Sequence, residues 1–246
     1  MAEHRTNNIY SQWNLENTAR ILAQRFPGHL IIVVKPSNML LNTFSIYSNF
    51  VEFDEDGIPT LFTDVGAVIH LSKLYSNALK HYCSQKLCDT ENDSHVCSES
   101  SNGDSGSSHM ISNEEDHPIT IVGFSKGCVP LNQIMFELST ANLPPDAASF
   151  SSKIKSVYWL DAGHNGRKDT WITNDFVLQK IVSTNIQLFI HVTPYQVKDL
   201  NRPWVGKEKK KFIQKLKSFH ANFIETEHHF DMPGSLDLHF SILTEF

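Results

Sequence analysis

Pro118-Ile119-Thr120-Ile121-Val122-Gly123-Phe124-Ser125-Lys126-Gly127 decides the fold, because an apolar run that suits a buried strand passes directly into a Gly-x-Ser-x-Gly pentapeptide. Beyond it, Val129, Leu131, Ile134, Met135 and Leu138 fall on one face of a helix. Strand, tight turn and helix in that order are the setting of a nucleophile elbow, where a strained turn lifts a serine hydroxyl clear of the backbone at the carboxyl edge of a sheet. Gly123 and Gly127 are expected where a larger side chain would strike the strand or the helix. Pro130 lacks a backbone donor just past the first turn and predicts a slight kink. The competing reading is a glycine-rich turn that happens to hold a serine, and the flanking strand and helix favour the elbow.

Working outward, the 246 residues suit one domain spanning 1–246, somewhat longer than the roughly 100 to 200 residues usual for a domain. Hydrophobic residues make up 40% of the chain, yet no apolar run approaches the roughly 18 residues of a membrane span. Met1-Ala2-Glu3-His4 lacks the basic-then-apolar start of a secretory signal. Cys83, Cys88, Cys97 and Cys128 have no paired two-residue spacing and read as free thiols of a reducing compartment. A metal site from Cys83, Cys88, Cys97 and His95 is conceivable but irregularly spaced, so no metal and no cofactor is expected.

One segment distorts the overall charge. Asp89 to His117 carries eight acidic residues, many serines and no lysine or arginine, the composition of a disordered insertion. Its negative charge exceeds the formal net of -6 for the whole chain, so the remainder is slightly basic. The acidic balance therefore points to no charged binding surface, and nucleic acid is not an expected partner. Lys207, Lys209, Lys210, Lys211, Lys215 and Lys217 alternate with Phe212, Ile213, Leu216 and Phe219 at helical spacing. They read as a solvated lysine face on a docked helix, with contact to a polyanion or anionic lipid as the minor alternative.

Elsewhere helices and strands alternate. Leu15, Ala19, Leu22 and Phe26 predict a helix capped near Asn14 and stopped by Pro27-Gly28, followed by a buried strand over Leu30 to Val34. Residues 36–63 are irregular, and Asp64 is expected to cap a helix whose face holds Val68, Leu71, Tyr75, Leu79 and Tyr82. After the elbow come a strand ending at Leu160, a helix through Phe176 to Ile181, a strand over Ile186 to Val192, the lysine helix, and a last strand near Ala221 to Glu225. Continuous apolar strands separated by helices predict an α/β fold with a mostly parallel sheet covered on both faces. The site is then expected beyond the strands' carboxyl ends.

Ser125 needs a base to take its proton, an acid to orient that base and backbone donors for an oxyanion. The acid candidates are Asp161, directly after the strand ending Trp159-Leu160, and Asp199, farther along a polar loop. Asp161 is preferred by position, although it could merely open the turn Asp161-Ala162-Gly163-His164-Asn165-Gly166. For the base, His239 at the start of the last apolar stretch ranks ahead of His229, which follows the last strand. His228, His229, His239 and Asp231 could instead bind a metal, which would leave the elbow unexplained.

Several longer strings carry a resemblance. Gly123 to Cys128, Leu131-Asn132-Gln133, Tyr158-Trp159-Leu160-Asp161, His191 to Val197 and Gly206-Lys207-Glu208 resemble the vertebrate "chromosome 2 open reading frame 69" family, from about Asn14 to the carboxyl end. The resemblance implies a mitochondrial, α/β-hydrolase-like protein with Ser125 as nucleophile and with Asp161, His229 and His239 at retained polar positions. It also implies a targeting region, early strands and a second oxyanion donor ahead of Asn14, which makes this chain a shortened form, cytosolic if it is the complete product and weak as an enzyme. The expected function is hydrolysis of a small-molecule ester or thioester through an acyl-serine. The rival is a catalytically silent scaffold with a protein partner.

Overall fold

The computed structural model describes residues 8–93 and 117–246. A 3₁₀ turn over Asn8–Trp13 leads into helix α1 (Leu15–Arg25), where the Asn14 side chain accepts the Asn17 amide proton at 2.8 Å. Two small hairpins follow, strand β1 (Asn38–Leu40) with β2 (Phe44–Ile46), and β3 (Glu52–Phe53) with β4 (Pro59–Thr60). Helix α2 (Ala67–Asp93) precedes β5 (Ile119–Phe124), which gives way to a 3₁₀ turn over Ser125–Gly127 and then to α3 (Cys128–Thr140). After α4 (Pro145–Ser152) come β6 (Ile154–Leu160), α5 (Asp175–Ser183), β7 (Gln187–Val192) and the single turn α6 (Pro194–Val197). The chain ends with α7 (Pro203–Ser218), β8 (Phe223–Glu227) and α8 (Leu236–Glu245).

The expected α/β architecture is present. β5, β6, β7 and β8 form one parallel sheet in that order. Alternate residues of β6 face opposite layers, as the strand's two-residue period requires. Tyr158 and Leu160 join Ile242, Leu243 and Phe246 of the carboxyl end, with Leu22 and Phe26 of the α1 segment packed against them. Val157 and Trp159 join the larger core with residues of α2, α3, α5 and α7. Trp159 also donates its indole N–H to Asn132 at 2.9 Å, and Asn132 donates to the Thr170 carbonyl at 2.9 Å, so these two buried side chains satisfy one another and the loop after β6. At the entrance to β6 the pairing shifts: Ile119 lies opposite Ile154, but Thr120 lies opposite Ser156, leaving Lys155 as an extra residue in the ladder.

Several local expectations are corrected. Leu30 to Val34 is no strand: Leu30 and Ile32 are exposed, only Val34 packs on the core, and no ladder partner satisfies its backbone among the described residues. Apolar composition alone cannot make a strand without such a partner. Residues 36–63, expected to be irregular, hold the two hairpins. Asp64 does not cap α2; its carboxylate takes only the Gly66 amide proton at 3.3 Å. Buried Glu137 on α3 does that work from a distance, accepting from the amides of Val65 at 3.1 Å and Val68 at 2.9 Å and from the Gln133 side chain at 2.9 Å. Pro130 is the third residue of α3, in the first turn, where its missing N–H has no intrahelical acceptor to lose. The last strand begins at Phe223 because the Ala221 amide still bonds back to Leu216 at the end of α7. Lys209 is buried and paired with Glu225 and Glu227 of β8, so the lysine helix is not uniformly solvated. Of the acidic stretch, Asp89 to Asp93 close α2, while 94–116 lie outside the described residues.

Replacing Glu137 with alanine strips the acceptor from two backbone amides and one side-chain amide at once. Leaving such buried donors unpaired costs about 1–3 kcal/mol each where water cannot reach them. Glu137→Ala is expected to lower stability by about 2–5 kcal/mol, read as a lower urea midpoint at unchanged slope. A midpoint within error of the parent would show that the α2 terminus does not depend on it.

Candidate active site

β5 and β6 end in step, with Phe124 opposite Leu160, and the next residues, Ser125 and Asp161, both turn into left-handed backbone at φ 52° and 47°. Such a conformation is costly for a serine and marks a site over-determined by its surroundings. Gly123 makes the turn possible: a Cβ there would stand 2.9 Å from Leu131 Cδ2 and 3.1 Å from the Gly127 carbonyl oxygen. Gly127 is not needed for space in the same way, since a Cβ there meets only the Tyr47 hydroxyl at 4.0 Å and its φ is negative. Beneath the turn, the buried Cys128 thiol donates to the Gly123 carbonyl at 3.1 Å, and burial pushes its pKa well up. This thiol is a packing group rather than a nucleophile.

Asp161 is completely buried at 0% exposure, and each of its oxygens is engaged. The Thr193 amide donates to Oδ1 at 2.8 Å, the Thr193 hydroxyl donates to Oδ2 at 2.6 Å, and His239 Nδ1 lies 2.7 Å from Oδ2. An ionised carboxylate only accepts, so the shared proton is on Nδ1 and the lone pair of Nε2 is left to receive one. His239 is 4% exposed, and Ser235 caps the first turn of its helix by accepting from Leu238 at 3.2 Å. Its ring is held between Phe124, with centroids 4.7 Å apart, and Tyr195 at 4.8 Å. Phe124 immediately precedes Ser125, which brings the imidazole to the elbow, although no hydrogen bond joins the Ser125 hydroxyl to it among the described residues.

The other candidates lie elsewhere. Asp199 pairs with Arg202 at 2.7 Å, and His229 Nε2 pairs with Glu245 at 2.7 Å, so neither meets Asp161 or Ser125. His228 bonds to His191 at 2.9 Å, and no cluster of three or more metal-ligating side chains occurs among the described residues. Nor is any helix there long and apolar enough to cross a membrane. Thr193 and Tyr195 were not singled out from the sequence. Their signals are membership in the string His191 to Val197 and position directly past a strand that neighbours the one delivering the acid.

The sequence matches the C2orf69 family over residues 1–118 and 80–222. It is 37% identical to the human "Mitochondrial protein C2orf69" over 265 aligned residues, covering 98% of this chain and 69% of that protein. It is 38% identical to the zebrafish "Mitochondrial protein C2orf69 homolog", covering 95% of this chain and 65% of that one, and 36% identical to the mouse homolog, covering 98% and 72%. The chain thus spans about two thirds of the length of these curated relatives. No solved structure matches it.

Two histidines around the sheet's carboxyl edge give the site a pH signature. Burial, then neighbouring Lys126 and Arg202, lowers the pKa of His164 to about 4; burial, then His228 and Arg25, does the same for His191. Unfolding returns both to about 6.5, so the unfolded chain takes up protons first. The stability these neutral rings contribute is whole above pH 6.5 and lost as pH falls toward 4, by at most about 3 kcal/mol for each. Urea midpoints should therefore fall through that window, with a shallower slope in His191→Phe, and a flat profile would contradict it.

Proposed function

The chain belongs to the C2orf69 family, and we propose that it is an α/β-hydrolase-like serine hydrolase, acting on a small ester or thioester in mitochondria as the names of its relatives suggest. The observation that carries this reading is the buried Asp161–His239 pair beside a serine held at positive φ. In the proposed cycle, Ser125 Oγ attacks the carbonyl carbon while His239 Nε2 takes the hydroxyl proton. The bond to the leaving alcohol or thiol then breaks as His239 returns that proton to it, giving an acyl-serine. Water attacks next, again through His239, and releases the acid. Asp161 keeps the imidazole in the needed tautomer and offsets its charge. The Lys126 amide, next after the nucleophile, is one oxyanion donor.

A second reading, a silent scaffold that binds a protein partner, is favoured by one observation: Ser125 Oγ makes no hydrogen bond to His239. Catalytic hydrogen bonds are often loose before substrate binds, so the missing bond is also compatible with an active site. Chemistry separates the two readings.

A fluorophosphonate probe should label this protein at Ser125, and Ser125→Ala should abolish labelling with little change in thermal stability. His239→Ala should slow acylation by about a hundred- to ten-thousand-fold, whereas His229→Ala should act only on stability. Labelling that persists in the alanine variant, or small and equal effects from both histidines, would turn the assignment toward the scaffold.

A further inference from the structure

Lys126 does two separable things. Its amide belongs to the elbow, while its side chain runs beneath the β1–β2 hairpin. That side chain is 9% exposed, and its Nζ has no hydrogen-bond partner among the described residues. The face of Phe44 lies 5.0 Å from it, a contact that offsets only part of the cost of taking an ammonium out of water. Burial lowers its pKa, and no carboxylate opposes the shift. Asp161, the acid of the neighbouring loop, has both oxygens engaged by Thr193 and His239.

A second unpaired donor lies on the loop after Asp161. His164 is 3% exposed, and its Nδ1 accepts the Gly166 amide proton at 2.9 Å, so the ring proton sits on Nε2. No hydrogen bond of good geometry satisfies that atom, although the Asp169 backbone interacts with the ring and opposes part of the effect of burial. Lys126 and His164 lie within electrostatic reach of one another. Two buried donors without acceptors, on the two loops that carry Ser125 and Asp161, are an arrangement waiting for an anion.

Resting on the hydrolase reading above, we propose that Lys126 Nζ, seconded by His164 Nε2–H, receives the carboxylate of a singly charged ester substrate, such as the half-ester of a dicarboxylic acid. One ammonium and one neutral imidazole supply a single positive charge, which balances a carboxylate and would leave a phosphate dianion uncompensated. Arg202 adds nothing to this sum because Asp199 already holds it. Phe44, itself partly exposed and carried on a two-stranded hairpin rather than on the main sheet, covers the ammonium.

Binding tests this separately from chemistry. Ser125→Ala protein is titrated by calorimetry with monomethyl succinate, neutral dimethyl succinate and inorganic phosphate. Monomethyl succinate should bind at least about tenfold more tightly than the diester, as a charge-assisted hydrogen bond implies. Adding Lys126→Met should erase that preference while raising the thermal midpoint, and His164→Ala should weaken it several-fold. Lys126→Gln serves the same purpose if the methionine variant folds poorly. Equal binding of the two esters, a preference that survives loss of the lysine, or tighter binding of inorganic phosphate would each overturn the proposal. A wild-type protein that takes no fluorophosphonate yet keeps the half-ester preference would lose the reaction and keep the subsite. Labelling without the preference would do the reverse.

Discussion

The buried carboxylate of Asp161 is the point through which the carboxyl edge of the sheet is tied together. A charge with no exposure is tolerated only when its oxygens are saturated, and here two donors come from Thr193 beyond β7 and one from His239 on α8. The strand that carries the acid is thereby joined to the next strand and to the last helix. The aromatic clamp on His239 follows from the same arrangement, because α8 can bring the imidazole to Asp161 only by sliding it between Phe124 and Tyr195. Structure and chemistry share one set of bonds at this place.

The sheet treats its two margins differently. β8 carries Glu225 and Glu227, and Lys209 reaches across from α7 to pair with both, so this margin is charged and tied down. β5 is the other terminal strand among the described residues, and it bears the elbow. There the cover is light: Tyr47 stands over Gly127, and Phe44 over Lys126, both from the β2 segment. The side of the molecule proposed to meet substrate is the side closed by the smallest elements.

Much of this architecture was legible in the sequence because it is written in local patterns. Apolar strands, the helix face after Ser125 and the cap at Asn14 need only neighbours a few residues away. The pairing of Asp161 with His239 rested on their placement at element ends, and the geometry brings these two together while sending Asp199 and His229 to Arg202 and Glu245. What could not be read depends on partners distant in the chain. Glu137 capping α2 spans about seventy residues of separation, and Leu30 to Val34 has the composition of a strand without a ladder to join. Thr193 as a support for the acid and Lys126 as a buried cation are likewise products of tertiary packing, to which single residues give no local clue.

The extra residue at the entrance to β6 has a consequence at the other end of that strand. Had Thr120 paired with Lys155, every later pair would slip by one, and Ser125 would stand opposite Leu160 instead of in step with Asp161. A one-residue slip also exchanges the two faces of a strand. Trp159 would then point toward the layer built by α1 and α8, and the acid would overshoot the sheet edge. The alignment of nucleophile and acid is thus set some five residues upstream by a counting irregularity in the hydrogen-bond ladder. In a lineage of such chains, insertions or deletions within β6 would be felt first as mistimed strand ends, well before they compromised the core.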